Sequence, residues 1–291
     1  MSRSVAQSSV HERWVELQER GGTQSDPLPW SYSGLDAIRY ALSVGAGATD
    51  LPWVYERHPG GLRVLPTLAI MPTVGAWDWL AQILQLADAE IVLGEQSLAL
   101  AGELPPALTA SYRHRLDGLY DKGASAMAQV STVVEADREV LATGISRFFV
   151  RAAGGFGGER GPAGPLSLST QGDAGAETRW SAPAEAPLLY RLSGDLHPIH
   201  VDADVARAAG QPRPPLHGMY VLGRLGQEIV CRRGRDVRAA LIRYQGSAYP
   251  EEALLTRWWW EEETIRATVE AADRGAPVCK AAFAIGQRHA Q

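Results

Sequence analysis

Apolar positions along the chain follow two periods, and the period changes where glycine and proline interrupt it. Residues 10–20 can form a short amphipathic helix with Trp14 and Leu17 on one face, stopped by Gly21-Gly22. Asp26-Pro-Leu-Pro29 reads as a loop. Residues 35–44 have helical spacing at Leu35, Ile38 and Leu42 and end in Gly45-Ala-Gly47. Residues 62–71 are apolar and strand-like. Residues 78–86 predict a helix with Asp78 as its N-cap.

From residue 90 the pattern predicts strands. Residues 90–93 and 97–100 flank Gly94-Glu95-Gln96, and 108–119, 126–134 and 140–150 follow. A turn at 135–139 suits a hairpin. Residues 153–178 are rich in Gly, Pro and Ser and read as a linker crossing between two halves. Within it, Gly154-Gly-Phe-Gly-Gly158 invites comparison with a phosphate cradle. It lacks the spacing and lysine of a P-loop, and a structural turn is the better reading.

The second half predicts a short helix at 184–193 closed by Gly194, a loop, a helix at 203–209 closed by Gly210, and a rigid loop at 211–215. A longer helix at 218–231 carries the stripe Met219, Leu222, Leu225 and Ile229. Antiparallel sheet completes the chain. Ile265, Ala267 and Val269 alternate with Arg266, Thr268 and Glu270, and 254–260 and 278–285 are the neighbours. Trp258-Trp-Trp260 reads as core and interface. Each half is thus a little helix followed by long strands. That predicts an α+β protein built as two curved sheets, each wrapped round a helix. The division is 1–152, a crossing segment 153–180, and 181–291. No internal repeat in the sequence proves the duplication.

Composition narrows the class. The 291 residues are 45% hydrophobic and 21% charged, as in soluble globular proteins. A net charge of −5 argues against nucleic-acid or anionic-membrane partners. No apolar run approaches the ~18–20 residues of a membrane span. Residues 1–9 are polar, without the apolar core of a secretion signal. The two cysteines, Cys231 and Cys279, have no metal-like spacing. A cytoplasmic, reducing setting is expected.

The chemistry concentrates at 190–217. Residues 190–202 read Tyr-Arg-Leu-Ser-Gly-Asp-Leu-His-Pro-Ile-His-Val-Asp, and His217 follows a Pro-rich turn. A carboxylate beside an imidazole suits proton transfer near neutral pH. His217-Gly218 opens the long helix, whose free N–H groups suit a developing oxyanion. Base, acid and oxyanion site together suit adding water to, or removing it from, a double bond conjugated to a carbonyl. A metal site drawn from His197, His200 and Asp202, completed by His217 or Asp195, is the sharp competitor. The bland alternative is polar loop capping.

These residues, with Pro215-Leu-His-Gly218, resemble the motif of the type-2, (R)-specific enoyl-CoA hydratases of the MaoC-like family. Landmarks at Tyr40–Ala46, Leu65-Pro-Thr67, Gly94-Glu-Gln96, Asp121-Lys-Gly123, Arg151 with 154–158, and Tyr249-Pro-Glu-Glu252 run in the same order. The resemblance implies a double hot-dog fold with the hydratase motif in the second half only, the first half shaping the acyl pocket. It implies a homodimer, and no metal or redox cofactor, coenzyme A entering only with the substrate. Asp195 and His200 would be the catalytic pair, and Gly218 the oxyanion donor beside His197 and His217. Tyr190, Arg191, Glu95 and Asp202 would be supporting residues. A bell-shaped pH profile is expected.

The chain departs from the family at His197, where an asparagine is usual. It departs also at Leu93, where a histidine precedes Gly-Glu-Gln, and at Ala101. Such changes suit a wider acyl pocket for a branched, ring-bearing or polyketide-like group. Two other readings compete: a dehydratase or cyclase acting on carrier-bound thioesters, and a non-catalytic acyl-binding subunit. Arg213, Arg224, Arg232, Arg233 and Arg243 are candidates for meeting the phosphates of coenzyme A.

Overall fold

The computed structural model describes residues 3–87 and 90–288. Met1 and Ser2 of the polar N-terminal stretch lie outside the described residues. One antiparallel sheet holds ten strands. They are β1 (Leu28–Tyr32), β2 (Ile91–Leu100), β3 (Leu108–Asp121), β4 (Ser125–Ala136), β5 (Glu139–Arg151), β6 (Ala176–Trp180), β7 (Arg235–Tyr244), β8 (Leu254–Trp260), β9 (Thr264–Ala271) and β10 (Ala276–Arg288). The helices are α1 (Arg3–Glu19), α2 (Gly34–Ser43), α3 (Leu51–Val54), α4 (Ala76–Leu84), α5 (Ala186–Tyr190), α6 (Ala203–Ala208) and α7 (Gly218–Gln227).

The strand order is β1-β3-β4-β5-β2-β7-β10-β9-β8-β6. The first five strands come from the first half and the last five from the second. Read from its own edge inward, the second half runs β6-β8-β9-β10-β7, which repeats the first half strand for strand. The duplication hidden in the sequence is therefore explicit in the topology, and the fold is the double hot-dog. The halves join edge to edge where Glu95–Ala99 of β2 pair with Ala239–Arg243 of β7.

Each half is filled by its own helix. In the first, Leu80 and Leu84 of α4 are buried with Ile91, Leu116, Val130 and Phe148 from the sheet. Helix α1 closes that core with Val10 and Trp14, and Leu17 packs beside them. Arg13 Nη1 donates to the Leu84 carbonyl at 2.9 Å, satisfying a free group at the end of α4. Gly21 ends α1 at φ 68°, the left-handed conformation that suits glycine. Replacing Trp14 with Ala should therefore destabilise the protein by about 3 kcal/mol. A fall in the denaturant midpoint reads this, and an unchanged midpoint would show that α1 is an appendage. In the second half Leu222, Leu225 and Ile229 are buried under Ile242, Trp258, Ala267 and Phe283.

Several expectations change. Residues 62–71 form no strand; Pro66–Thr73 is a buried 3₁₀ helix leading into α4. A short apolar run cannot distinguish a buried helix from a strand, and Pro66 and Pro72 have no N–H for a ladder. Gly75 occupies the N-cap of α4 and Asp78 its first turn, with no side-chain cap bond. Leu28 and Pro29 belong to β1, an edge strand, where proline is tolerated. Residues 176–180, assigned to the crossing segment, are β6 at the opposite edge. Residues 91–100 make one strand with a bulge between Leu93 and Glu95. A Cβ on Gly94 would lie 2.3 Å from the Phe149 ring, so only glycine fits there. On α2, Leu35 and Leu42 are exposed while Ala37, Ile38, Tyr40 and Ala41 are buried. Small alanines let that helix approach closely, so the larger leucines mark its outer face. The 218–231 helix splits into α7 and a π-helical turn at Glu228–Arg232.

Other expectations hold. The β4–β5 hairpin turns at Asp137 and Arg138, both at positive φ, 51° and 69°. That suits a two-residue turn whose twist matches the strands. The cradle at 154–158 is indeed a structural turn. The N–H groups of Gly155 and Gly157 donate to Asp121 at 3.0 and 2.7 Å, so the chain's own carboxylate fills it. These bonds, with one from Gly123, pull the Asp121 carboxyl down to about 2. Cys231 and Cys279 are free. No described helix is long and apolar enough to cross a membrane.

Candidate active site

The site is assembled by a chain that changes direction three times. Helix α5 runs into a 3₁₀ turn at Arg191–Ser193, and Gly194 at φ 132° swings the chain inward to Asp195. Pro198 starts a second 3₁₀ turn that presents His200. The loop at 211–216 then brings His217 to the N-cap of α7. Asp195, His200 and His217 each place one ligand-type atom within 4.8 Å of the others. Asp195 is 7% exposed and His217 1%.

The hydrogen bonds fix the imidazoles. His200 Nδ1 lies 2.9 Å from the Pro215 carbonyl. A carbonyl only accepts, so Nδ1 carries the hydrogen and Nε2 is left as a bare base. His217 Nε2 faces the Asp195 carbonyl at 3.2 Å, and its Nδ1 is buried with no hydrogen-bond partner among the described residues. The two rings stack at 3.8 Å and 26°. Lone pairs in nearly parallel ring planes run side by side and do not converge. The cluster therefore suits proton transfer better than metal ligation. Among the described residues the Asp195 carboxylate accepts only the His197 N–H, at 3.4 Å.

Burial governs the charges. It pushes the Asp195 carboxyl up from 3.8, an effect that nearby Asp78 adds to and His200 opposes. It pushes His200 down from 6.5 and His217 down to about 2. Both imidazoles are therefore neutral at pH 7.

His197 takes a local role as well. Its Nδ1 accepts the Ile199 N–H at 3.3 Å and caps the second 3₁₀ turn. An asparagine oxygen would do the same, so histidine preserves the loop. Its ring lies 6.2 Å from that of Trp77 on α4, so the first half borders the site. Tyr190 is fully buried, 4.9 Å from the His217 ring, and its hydroxyl donates to Met71 Sδ at 3.6 Å. It wedges the loop at 191–200 against the first half. Arg191 Nη2 donates to the Leu196 carbonyl at 3.5 Å across the same loop.

Two supporting residues lie elsewhere. Glu95 does not reach the site. Its carboxylate bridges Arg147 at 2.6 Å and Arg243 at 2.7 Å on the opposite face of the sheet, beneath the crossing segment. The adjacent Gln96 is the residue on the helix side. Asp202 is the N-cap of α6, accepting from the N–H groups of Asp204 and Val205. Capping explains its position after the motif.

Comparison with known proteins follows the same division. Residues 30–152 match the model of the MFE-2 hydratase 2 N-terminal domain, and residues 173–278 match the MaoC-like domain. The chain is 34% identical to the peroxisomal enoyl-CoA hydratase 2 of Arabidopsis thaliana, over 80% of this chain and 83% of that one. It belongs to the MaoC-like hydratase family. The 3-hydroxyacyl-thioester dehydratase Y of Mycobacterium tuberculosis is 33% identical, over 83% of this chain and 86% of its own length. A MaoC-like dehydratase of Phytophthora capsici shares the fold, with a TM-score of 0.80 at 22% identity, covering 91% of this chain and 95% of that one.

This MaoC-like protein is a hydro-lyase, and two of its site residues had no motif to reveal them. Tyr244, at the end of β7, lies against Gly218: a Cβ there would sit 2.7 Å from its ring. Its hydroxyl donates to Gln96 Oε1 at 3.5 Å, and Gln96 Nε2 donates to Thr73. Trp77 is the other. The available signal was position: Gln96 is in the Gly94-Glu-Gln96 landmark, and Tyr244 ends the strand paired with it. Of the arginines proposed for phosphate, Arg243 is tied to Glu95, Arg224 and Arg233 to Glu228, and Arg232 to Asp50. Arg213 lies over the Tyr249 ring at 5.1 Å.

Proposed function

We propose that this enzyme adds water to a trans-2-enoyl-CoA to give the (3R)-hydroxyacyl-CoA, and catalyses the reverse dehydration. One observation carries the reading. The buried Asp195 carboxylate and the half-buried His200 imidazole, whose Nδ1 is engaged by the Pro215 carbonyl, come within 4.8 Å of each other beside the open N-terminus of α7 at Gly218. The substrate named for the Arabidopsis relative supports the same class.

Two acceptors can hold both hydrogens of one water, leaving an oxygen lone pair for the β-carbon. Asp195 takes a proton as the C–O bond forms. The π electrons move toward the thioester oxygen, which the Gly218 N–H steadies. Asp195 then returns the proton to the α-carbon, so water is added with nothing left over. His200 orients the water and shares its charge. Neither a metal nor a redox cofactor enters this sequence, and coenzyme A comes with the substrate.

The pH profile follows from the shifts. Asp195 must be ionised, and its carboxyl is raised, so activity falls with acid through a window above the ordinary carboxylate range. His200 is depressed and acts neutral, so it adds no loss on the alkaline side. The bell reduces to one rising limb and a plateau through neutrality. The decisive measurement is hydration of trans-2-enoyl-CoA, followed by loss of the enoyl-thioester absorbance across pH, with product stereochemistry. No turnover, or a (3S) product, would sink the reading.

A further inference from the structure

The outer face of the sheet, away from α4 and α7, carries a row of directly opposed polar side chains. Strand pairing sets Arg147 of β5, Glu95 of β2, Arg243 of β7, Lys280 of β10 and Thr268 of β9 side by side. Residues directly opposed across an antiparallel pair share a face, with Cβ atoms about 5 Å apart. Glu95 holds both arginines, Arg147 at 2.6 Å and Arg243 at 2.7 Å. Lys280 stands beyond them, between Arg243 and Thr268. It is exposed, and its ammonium makes no ion pair or hydrogen bond among the described residues. Three cations therefore face one carboxylate, in a protein whose net charge is −5. Like charges directly opposed destabilise a sheet, so the Arg243–Lys280 pair asks for a reason.

The crossing segment lies over this row and is pinned to it. Arg147 Nη2 donates to the Ala163 carbonyl at 2.9 Å, and Arg266 Nε to the Ser167 carbonyl at 3.0 Å. At Gly164 the segment comes down onto the sheet, where an added Cβ would lie 3.2 Å from Glu95 Oε1. Beside that contact a cavity of about 510 Å³ lies between residues 163–169 and the side chains of Arg243 and Lys280. This is the size of a small-molecule site. No acidic side chain lines it; Ser167 and Ser169 supply hydroxyls, and Pro165 and Leu166 an apolar wall. Glu95 occupies Nε and Nη2 of Arg243, and Nη1 makes no hydrogen bond among the described residues, so donors remain for a ligand. The positive field continues past the cavity. Burial, then Arg160 and Arg147, hold the Lys122 ammonium below its usual value.

The sheet stands between this cavity and the acid–base pair. Tyr244 follows Arg243 in β7 and faces the other way, its ring against Gly218. We infer that the cavity is a second binding site, apart from the catalytic residues, that seats the phosphate of a small phosphorylated molecule between Lys280 and Arg243. A phosphate monoester carries about two negative charges near neutral pH, which matches the surplus of cations in the row. Its oxygens suit the free Arg243 donors and the Lys280 ammonium together, and charge-assisted hydrogen bonds of this kind are the strong ones. A bound phosphate turns the repulsion between β7 and β10 into a bridge. The rest of the molecule would lie against Pro165 and Leu166. Free phosphorylated compounds and the nucleotide end of a coenzyme A thioester share this chemistry, and the position across the sheet favours the first.

The test needs no turnover, so it stands or falls apart from the hydratase reading. Inorganic phosphate is titrated into the whole protein at constant ionic strength, with acetate as the control anion. At a hundredfold excess over Kd, phosphate should raise the melting temperature by about 5 °C, and acetate should not. Lys280→Met keeps the stem and removes the charge. It should melt no lower than the wild type without phosphate, because a repulsion has gone, and should weaken phosphate binding by about tenfold or more. Lys280→Arg should keep the binding. An absent rise, an equal rise with acetate, or a rise that persists in Lys280→Met would overturn the site. Calorimetry with adenosine 3′,5′-bisphosphate, repeated with butyryl-CoA at saturation, separates the two sources. Binding that persists supports a ligand independent of the substrate. Displacement by butyryl-CoA would assign the phosphate to the nucleotide end of the thioester and overturn the separation of the two sites.

Discussion

Asp195→Asn is expected to lower kcat for enoyl-CoA hydration by about 10²–10⁴-fold while raising the melting temperature. The amide keeps the shape of the carboxyl, and its oxygen can still accept the His197 N–H that now reaches Asp195 at 3.4 Å. It cannot take a proton from water, so the step that both removes and returns that proton is lost. The stability gain has the opposite origin. Burial raises the Asp195 carboxyl, so the native state binds this proton more tightly than the unfolded chain does. Stability then falls as pH rises from the unfolded value through the native one, and at neutral pH the buried charge opposes folding. Removing it favours the native state. Loss of turnover together with a higher melting point is the signature of a group placed for chemistry. His200→Gln should also be severe, and the double variant little worse than Asp195→Asn, because in the proposed mechanism both residues act on the same water. Near wild-type turnover in Asp195→Asn would remove the carboxylate from the mechanism.

Gly218→Ala is expected to cost about 10²–10³-fold in kcat with a smaller effect on KM. The added methyl would lie 2.7 Å from Tyr244 Cε1 and 2.9 Å from Cζ, closer than carbon atoms approach. Either the ring or the first turn of α7 must move. The ring is joined through Gln96 to Thr73, so the helix start yields more readily, and its N–H leaves the thioester oxygen. Steady-state kinetics separates the two constants. Adding Tyr244→Leu to Gly218→Ala returns space, and partial recovery of kcat would identify the clash as the cause. An undiminished kcat in the single variant would mean that the oxyanion is held elsewhere.

The sequence was most informative where function is local. Asp195, His200 and the His217-Gly218 helix start lie within one stretch, and the structure brings the three side chains together. Positions set by pairing across the sheet were less legible. Glu95 and Gln96 differ by one place, and in a strand one place exchanges the two faces; the bulge at Gly94 makes that phase harder to read. Tyr244 and Trp77 reach the site from other elements, and no linear pattern connects them to it. Strands β1 and β6 span five residues each, too short for alternation to register, and Pro29 spoke against the first. The run at 62–71 is apolar apart from Arg63 and Thr67, which marks burial without fixing geometry. The duplication had left the sequence altogether, yet the strand order preserves it.

The brevity of β1 and β6 bears on how the molecule behaves in a crowded solution. A ten-stranded sheet has two open margins where another chain could add a strand and begin to aggregate. Here the long strands are interior, and each margin offers only five residues of backbone; in β1 one of them is Pro29, which cannot donate. Templated growth along the sheet is thereby discouraged at both ends. A second copy of the chain has to be met through side chains on a face or a loop, where sequence rather than bare backbone decides the partner.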